Sequence, residues 1–91
     1  RKNLEFLGVN IPNVVAFELK NFANGDAWKN IVVIYNASDK EQIINIPFGK
    51  WTEVFNENGL NQNGYRTFKH DKTSVPPVSA MILAEIVPEQ Y

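Results

Sequence analysis

The 91-residue sequence contains no cysteine and a single histidine, His70. The lack of cysteine excludes disulfide bonds and every zinc site that needs a thiolate ligand. It does not settle the cellular compartment, because many secreted proteins fold without disulfides. Any catalytic triad that needs an imidazole must use His70.

Charge of one sign is also lacking, since nine basic and ten acidic residues are scattered along the chain and give a net charge of −1. Nucleic-acid binding needs a basic stripe, and binding to a membrane surface needs a polybasic or basic amphipathic segment. No apolar stretch approaches the roughly 20 residues that span a bilayer. The sequence therefore predicts neither a nucleic-acid partner nor a membrane partner.

Short β-rich runs, separated by Asn, Gly, Pro and Asp, make up most of the chain and predict seven or eight short strands. The runs are Leu4–Leu7, Val14–Lys20, Ile31–Tyr35, Gln42–Ile46, Trp51–Phe55, Tyr65–Phe68 and Val78–Glu85. No segment sustains a helical period. We predict a single all-β domain over residues 1–91, a two-sheet antiparallel β-sandwich with Greek-key connections, and a small barrel is the alternative.

Individual strands carry further expectations. Val14–Lys20 alternates apolar and polar side chains, which is typical of a half-buried strand. Ile31–Tyr35 is apolar on both faces and predicts a central strand that is covered on both sides. Pro47 cannot donate to a ladder, so it is expected to end the strand Gln42–Ile46, with a tight turn following at residues 48–50.

The setting of His70 favours a solvated loop histidine over a catalytic one. Asp71 follows it, and Ser74 and Ser79 lie nearby in the sequence, but neither serine stands in a nucleophile-elbow pattern. The polar stretch Lys69–Lys72 predicts a solvated loop, so we expect no catalytic triad.

Among the carboxylates, Glu53 is the one notable candidate for a catalytic acid, because it alternates with Trp51 and Phe55. A tuned acid would need an apolar pocket that raises its pKa, and a surface glutamate at a sheet margin is the simpler interpretation. Asn24-Gly25-Asp26 resembles the start of a calcium loop but lacks the spacing of the later ligands, so it predicts a plain turn. The sequence thus predicts no catalytic residue, no metal and no cofactor.

Two tryptophans, Trp28 and Trp51, are the candidate carbohydrate-binding residues, because an indole face suits the apolar patches of a sugar ring. In a domain of this size a core or interface position is the favoured interpretation for both. Trp28 is expected to lie in the connection Asn21–Asn30.

The runs Leu4–Leu7, Asn13–Leu19, Asn24–Asn36, Phe48–Trp51 and Val75–Leu83 occur in an order that resembles the C-terminal region of type I pullulanases. The run Asn24–Asn36 is the most specific, whereas related amylase-type enzymes share the last run. The likeness covers nearly the whole chain, and Asn56–Lys72 departs most from the pattern.

The resemblance implies a parent glycoside hydrolase that cuts α-1,6 branch points in pullulan and starch. Its catalytic carboxylates would lie on a preceding (β/α)8 barrel, and no residue of this chain matches their motifs. We therefore expect a C-terminal fragment, without an initiator Met, that packs on the barrel and stabilises it. The outer face of Ile31–Tyr35 is the expected contact. An extracellular location is an expectation for the parent enzyme alone.

Two other functions stay open. A carbohydrate-binding module would recognise α-glucans through Trp28 and Trp51, and a generic interaction sandwich would bind another protein without any link to starch. An enzyme that acts alone is the least favoured interpretation, because the sequence offers one histidine and no paired acids.

Overall fold

A computed structural model describes residues 4–20 and 28–86, and it confirms the all-β class. The seven strands are β1 (Leu4–Phe6), β2 (Val14–Leu19), β3 (Trp28–Asn36), β4 (Gln42–Asn56), β5 (Gly59–Leu60), β6 (Arg66–Val75) and β7 (Ser79–Ile86). The turn predicted at Asn24-Gly25-Asp26 lies outside the described residues.

All seven strands belong to one antiparallel sheet with the order β1-β2-β3-β7-β4-β5, and β6 pairs with the other side of β4. The last strand, β7, returns to lie between β3 and β4, which is the non-sequential crossover expected of a Greek-key arrangement. Over residues 4–20 and 28–86 the sheet is not closed, so the barrel alternative is wrong.

The two predicted layers are the two halves of this continuous sheet. The arm formed by β4 and β6 folds over one face of β2, β3 and β7, and we call that covered face the inner face. Their side chains form a single core of Val14, Ala16, Val32, Ile34, Ile44, Ile46, Trp51, Val75, Met81 and Leu83. The layers stay joined because residues 52–55 of β4 also pair with β7.

Pro47 does not end a strand, contrary to the prediction. Strand β4 runs through it for 15 residues, and the predicted turn at residues 48–50 is part of the strand. The register with β6 shifts between Asn45 and Gly49, so Pro47 occupies an irregular position where no regular ladder bond is needed. A bulge of this kind also bends the strand, which suits an arm that folds over the core.

A buried amide ties the ends of several strands together. Asn36, the last residue of β3, is fully buried, and its side-chain Nδ2 lies 2.9 Å from the Lys40 carbonyl, 3.1 Å from that of Val75 and 3.0 Å from that of Pro76. Its Oδ1 accepts from the amide and the hydroxyl of Ser38. This single side chain therefore joins the β3–β4 turn to the end of β6.

Candidate functional site

Trp51 lies in the core. It is 2% exposed, and its indole N–H donates to the carbonyl of Pro47 at 2.9 Å. Gly49 makes room for the ring, because a Cβ at that position would lie 3.3 Å from the indole nitrogen. In this arrangement the indole offers no face on which a sugar ring could stack.

Trp28 begins strand β3 and is half-buried, so it lies in a strand and not in the predicted connection. Its backbone pairs with Ile86 of β7, next to a register shift between Trp28 and Asn30. The structure does not bring the two tryptophans into one platform, since only Trp51 belongs to the core cluster. Sugar binding at Trp28 stays a prediction.

Glu53 is buried, so the simpler expectation of a surface glutamate is wrong. Its carboxylate accepts from Arg66 Nε at 2.6 Å and from Asn56 Nδ2 at 2.7 Å. The Arg66 guanidinium in turn lies 4.6 Å from the centre of the Phe68 ring. Both carboxylate oxygens are thus engaged, and the arrangement holds the end of β4 against β6.

His70 is exposed as expected, but it lies within strand β6 and not in a loop. Its Nδ1 lies 2.9 Å from a carboxylate oxygen of Asp71. The nearby serine hydroxyls donate elsewhere, Ser74 to the Glu41 carboxylate and Ser79 to the Pro76 carbonyl. The structure therefore does not assemble these residues into a triad.

Other kinds of site can be assessed only within residues 4–20 and 28–86. That part of the chain holds no group of three or more His, Asp or Glu side chains placed to bind a metal ion. It also contains no helix of the length and apolarity that would cross a membrane.

The most distinctive surface is the face of the sheet that points away from the core. We call it the outer face and define it by three cross-strand rows on β2, β3 and β7. The rows are Val15–Tyr35–Ala80, Phe17–Val33–Ile82 and Leu19–Ile31–Ala84. Directly paired residues in an antiparallel sheet point to the same side, so these side chains form one continuous surface without a charged group.

Neighbouring strands extend this outer face. Phe6 of β1 pairs with Phe17, and the two rings meet edge to face with their centroids 5.9 Å apart. On the opposite side, Phe55 of β4 pairs with Ile82. Much of the surface is open to solvent, since Phe6 is 68%, Val15 50% and Tyr35 49% exposed, whereas Ile31 and Ala84 of the third row are buried.

An apolar exterior around Ile31–Tyr35 was expected, and this is what the structure shows. A monomeric protein rarely leaves a large contiguous apolar surface to water, and such surfaces commonly mark sites of protein interaction. The sequence signal was the double-sided apolar run of β3, whereas the contributions of Phe6 and Phe55 depend on long-range pairing.

Sequence reasoning also missed Glu18, which lies on the inner face of β2 and is 6% exposed. Burial is the main cause that raises the pKa of this carboxyl above its ordinary value; the positive charge of Lys20 opposes the shift, and the negative charges of Glu5 and Glu85 add to it. The alternation of β2 pointed the other way, because it puts Glu18 on the side opposite Phe17 and Leu19, and only the sheet pairing shows that the Glu18 side is the inner face.

The open antiparallel sheet of seven strands places the described residues in the all-β class of domains. The family model for the pullulanase all-β domain matches residues 1–59. The chain therefore belongs to the pullulanase all-β domain family, as its resemblance to pullulanases predicted.

Solved structures of pullulanases share the fold. A pullulanase from Bacillus acidopullulyticus is 41% identical, with a TM-score of 0.82 over 91% of this chain and 10% of that chain. A pullulanase from Paenibacillus barengoltzii, in complex with maltohexaose and α-cyclodextrin, is 25% identical, with a TM-score of 0.75 over 94% of this chain and 12% of that one.

The type I pullulanase of Bacillus subtilis, complexed with maltose, has a TM-score of 0.78 at 22% identity, over 94% of this chain and 12% of that chain. The present chain thus spans about a tenth of the length of the pullulanases that it matches.

Proposed function

We propose that this chain is a non-catalytic accessory domain that packs through its outer face on the catalytic barrel of a pullulanase and stabilises that barrel. The observation that carries the proposal is the charge-free outer face, on which Val15 and Tyr35 are about half exposed. Removing such a surface from water contributes about 25 cal/mol for each Å² of apolar area.

The size of the domain supports the same partner. Contacts between domains of one chain typically bury about 600–1,500 Å², which one face of a sheet can supply. The family match adds that domains of this kind occur within pullulanases, whose chains are about ten times longer than this one. A pullulanase catalytic domain is therefore the partner that we propose for the outer face.

The test places a charge on the outer face of a pullulanase chain that carries this domain. Val15→Glu should lower the melting temperature of the catalytic domain, because a carboxylate in a dry interface is desolvated without a partner. Ile43→Glu is the matched control, since Ile43 is 64% exposed but lies on the β4 arm away from the outer face. Equal melting temperatures for Val15→Glu, Ile43→Glu and the parent chain would overturn the proposal.

The carbohydrate-binding alternative now depends on Trp28, because Trp51 is buried. If the domain binds carbohydrate, Trp28→Ala should abolish maltotriose binding without unfolding the domain. A titration of maltotriose followed by backbone amide shifts separates this function from a purely structural one.

A further inference from the structure

Val78 has a backbone conformation that is unusual for a valine. Its φ is +49°, and over residues 4–20 and 28–86 the one other non-glycine residue with a positive φ is Asn13, at +65°. Asparagine adopts this left-handed region at little cost, because its short polar side chain can bond locally, whereas the branched Cβ of a valine crowds the backbone. Val78 is therefore a strained residue, and Asn13 is much less so.

The turn between β6 and β7 imposes this strain. Val78 stands at the second central position of the turn, where a positive φ normally calls for glycine or asparagine. The Val78 amide donates to the Ser38 carbonyl at 3.1 Å. Within the turn, the Pro76 carbonyl accepts from the Ser79 hydroxyl at 2.8 Å and from the buried Asn36 amide at 3.0 Å. These bonds hold the backbone in place whichever side chain position 78 carries.

The domain gains little packing in return for the strain. Val78 is 68% exposed and does not belong to the core cluster. A glycine or an asparagine could take the same backbone conformation without a branched Cβ. Strained residues commonly persist where function needs their side chain, so the exposed valine points to a contact outside the domain.

Val78 lies at the margin of the outer face. It lines a groove of about 350 Å³ together with Phe55, Tyr35 and Ala80, and the last two belong to the outer-face row that begins at Val15. The other lining residues are polar or small, namely Asn56, Glu57, Gly59 and Ser79. An apolar patch with a polar rim is the usual anatomy of a protein interface. Val78 therefore continues the outer face beyond the end of β7.

We infer that Val78 is an anchor of the outer-face interface, held out by the β6–β7 turn to contact an apolar surface of the catalytic domain in a longer pullulanase chain. The inference rests on the proposed function, because it extends the same interface from the sheet to this turn. The groove that Val78 shares with Tyr35 and Ala80 favours this partner, since a body that covers the outer face meets all three side chains.

Calorimetry of Val78→Asn in two chains tests the inference. In the 91-residue chain the variant should raise the melting temperature by a few degrees, because asparagine tolerates the positive φ. In a longer pullulanase chain that carries this domain, it should lower the melting temperature of the catalytic domain, because the interface loses an apolar contact and desolvates an amide instead. A melting temperature that rises in both chains overturns the inference.

The reverse exchange, Asn13→Val, is the matched control for strain. Asn13 is exposed and has a similar φ, so this variant should lower the melting temperature of the 91-residue chain. If neither Asn13→Val nor Val78→Asn changes that temperature, the conformation of Val78 costs nothing and the inference is overturned.

A second readout needs no variant. In the 91-residue chain with ¹³C-labelled methyl groups, a soluble gadolinium chelate should broaden the Val78 signals strongly, and in the longer chain it should leave them sharp. Ile43, which is 64% exposed and lies on the β4 arm, should broaden in both chains. Broadening of Val78 in both chains overturns the inference, and so does protection in the 91-residue chain through pairing of two copies.

Failure of this inference is distinguishable from failure of the proposed function. If Val15→Glu lowers the melting temperature of the catalytic domain while the Val78 methyl groups stay exposed, the interface ends before the turn. The inference is then wrong and the proposed function stands. If Val15→Glu has no effect, the proposed function itself is wrong.

Discussion

At the scale of single residues, Asn36 is the most constrained polar side chain of the fold. Its amide nitrogen faces three backbone carbonyls, and its oxygen faces the amide and hydroxyl of Ser38. An asparagine meets this demand because one end of its side chain donates and the other accepts. The sequence did not reveal this role, because the carbonyls of Val75 and Pro76 lie about 40 residues away.

We predict that Asn36→Asp destabilises the domain by at least about 3 kcal/mol, because carboxylate oxygens would replace the donors and leave buried carbonyls without partners. Urea unfolding measures the loss. Asn10→Asp makes the same exchange at an exposed position and should change the free energy of unfolding by less than about 0.5 kcal/mol. Comparable losses in the two variants would contradict the role assigned to Asn36.

Glu18 gives the domain a dependence on pH. Because burial favours the neutral acid, the pKa of Glu18 is higher in the folded chain than in the unfolded chain. Between the pKa of the unfolded chain and that of the folded chain, the folded state therefore binds more protons than the unfolded state. This contribution to stability is complete below the unfolded pKa and is lost as the pH rises through the folded pKa.

The expected outcome is that Glu18→Gln becomes progressively more stable than the natural 91-residue chain as the pH rises from about 4 to 7. Urea unfolding at each pH gives the difference in free energy. Glu57→Gln should show no such trend, because Glu57 is exposed. A difference that shrinks with rising pH would mean that Glu18 is paired in the folded chain.

At the scale of elements, Gly64 shows how the β5–β6 connection is fitted to the sheet. Its φ is +88°, and a Cβ at this position would lie 2.3 Å from Thr52 Cγ2. The connection therefore packs directly over β4, which is why Thr52 is buried. The Gly64 amide also donates to the carbonyl of Asn61 at 2.9 Å, and this hydrogen bond closes the turn.

A matched pair of glycines separates the two causes of strain. Gly59 has a φ of +98° but open space around it, whereas Gly64 has both a positive φ and a close neighbour. Gly59→Ala should cost about 1–2 kcal/mol from the backbone alone. Gly64→Ala should cost about 1–3 kcal/mol more, because Thr52 must move. Equal losses by urea unfolding would show that Thr52 yields freely.

Strand prediction succeeded where the pattern is local. Val14–Lys20 and Val78–Glu85 closely match β2 and β7, since the alternation in each can be read within a few residues. Strand prediction failed at β4 and β6, which are longer than predicted. One bulge carries Pro47 through the ladder, and beyond it Gly49 pairs with His70. A bulge depends on the partner strand, so neither strand shows it alone.

At the scale of the whole molecule, the sheet has two apolar faces, and the domain leaves much of one of them open to solvent. The β4–β6 arm covers the inner face, where Val32 and Ile34 are fully buried, while Tyr35 on the outer face stays about half exposed. The sequence showed that β3 is apolar on both sides, but it could not show which side lacks a cover. Which side of β3 is covered depends on how β4 folds over the sheet, and that depends on contacts between residues far apart in the sequence.

The candidate site was predictable to a similar degree. Composition and periodicity correctly led to a face around Ile31–Tyr35, but they also offered Trp51, which the structure places in the core. A tryptophan at alternate positions with other apolar residues looks the same in sequence whether its strand faces the core or the solvent. Only the pairing of β4 with β6 and β7 decides between them.

The central claim, that the outer face is covered in a pullulanase chain, is tested most directly by side-chain oxidation with hydroxyl radicals. Phe6 and Phe48 form a matched pair, because they are 68% and 69% exposed and only Phe6 lies on the outer face. We predict that Phe6 and Tyr35 oxidise readily in the 91-residue chain and are strongly protected in the longer chain, while Phe48 reacts alike in both. Equal oxidation of Phe6 and Tyr35 in the two chains would contradict the account.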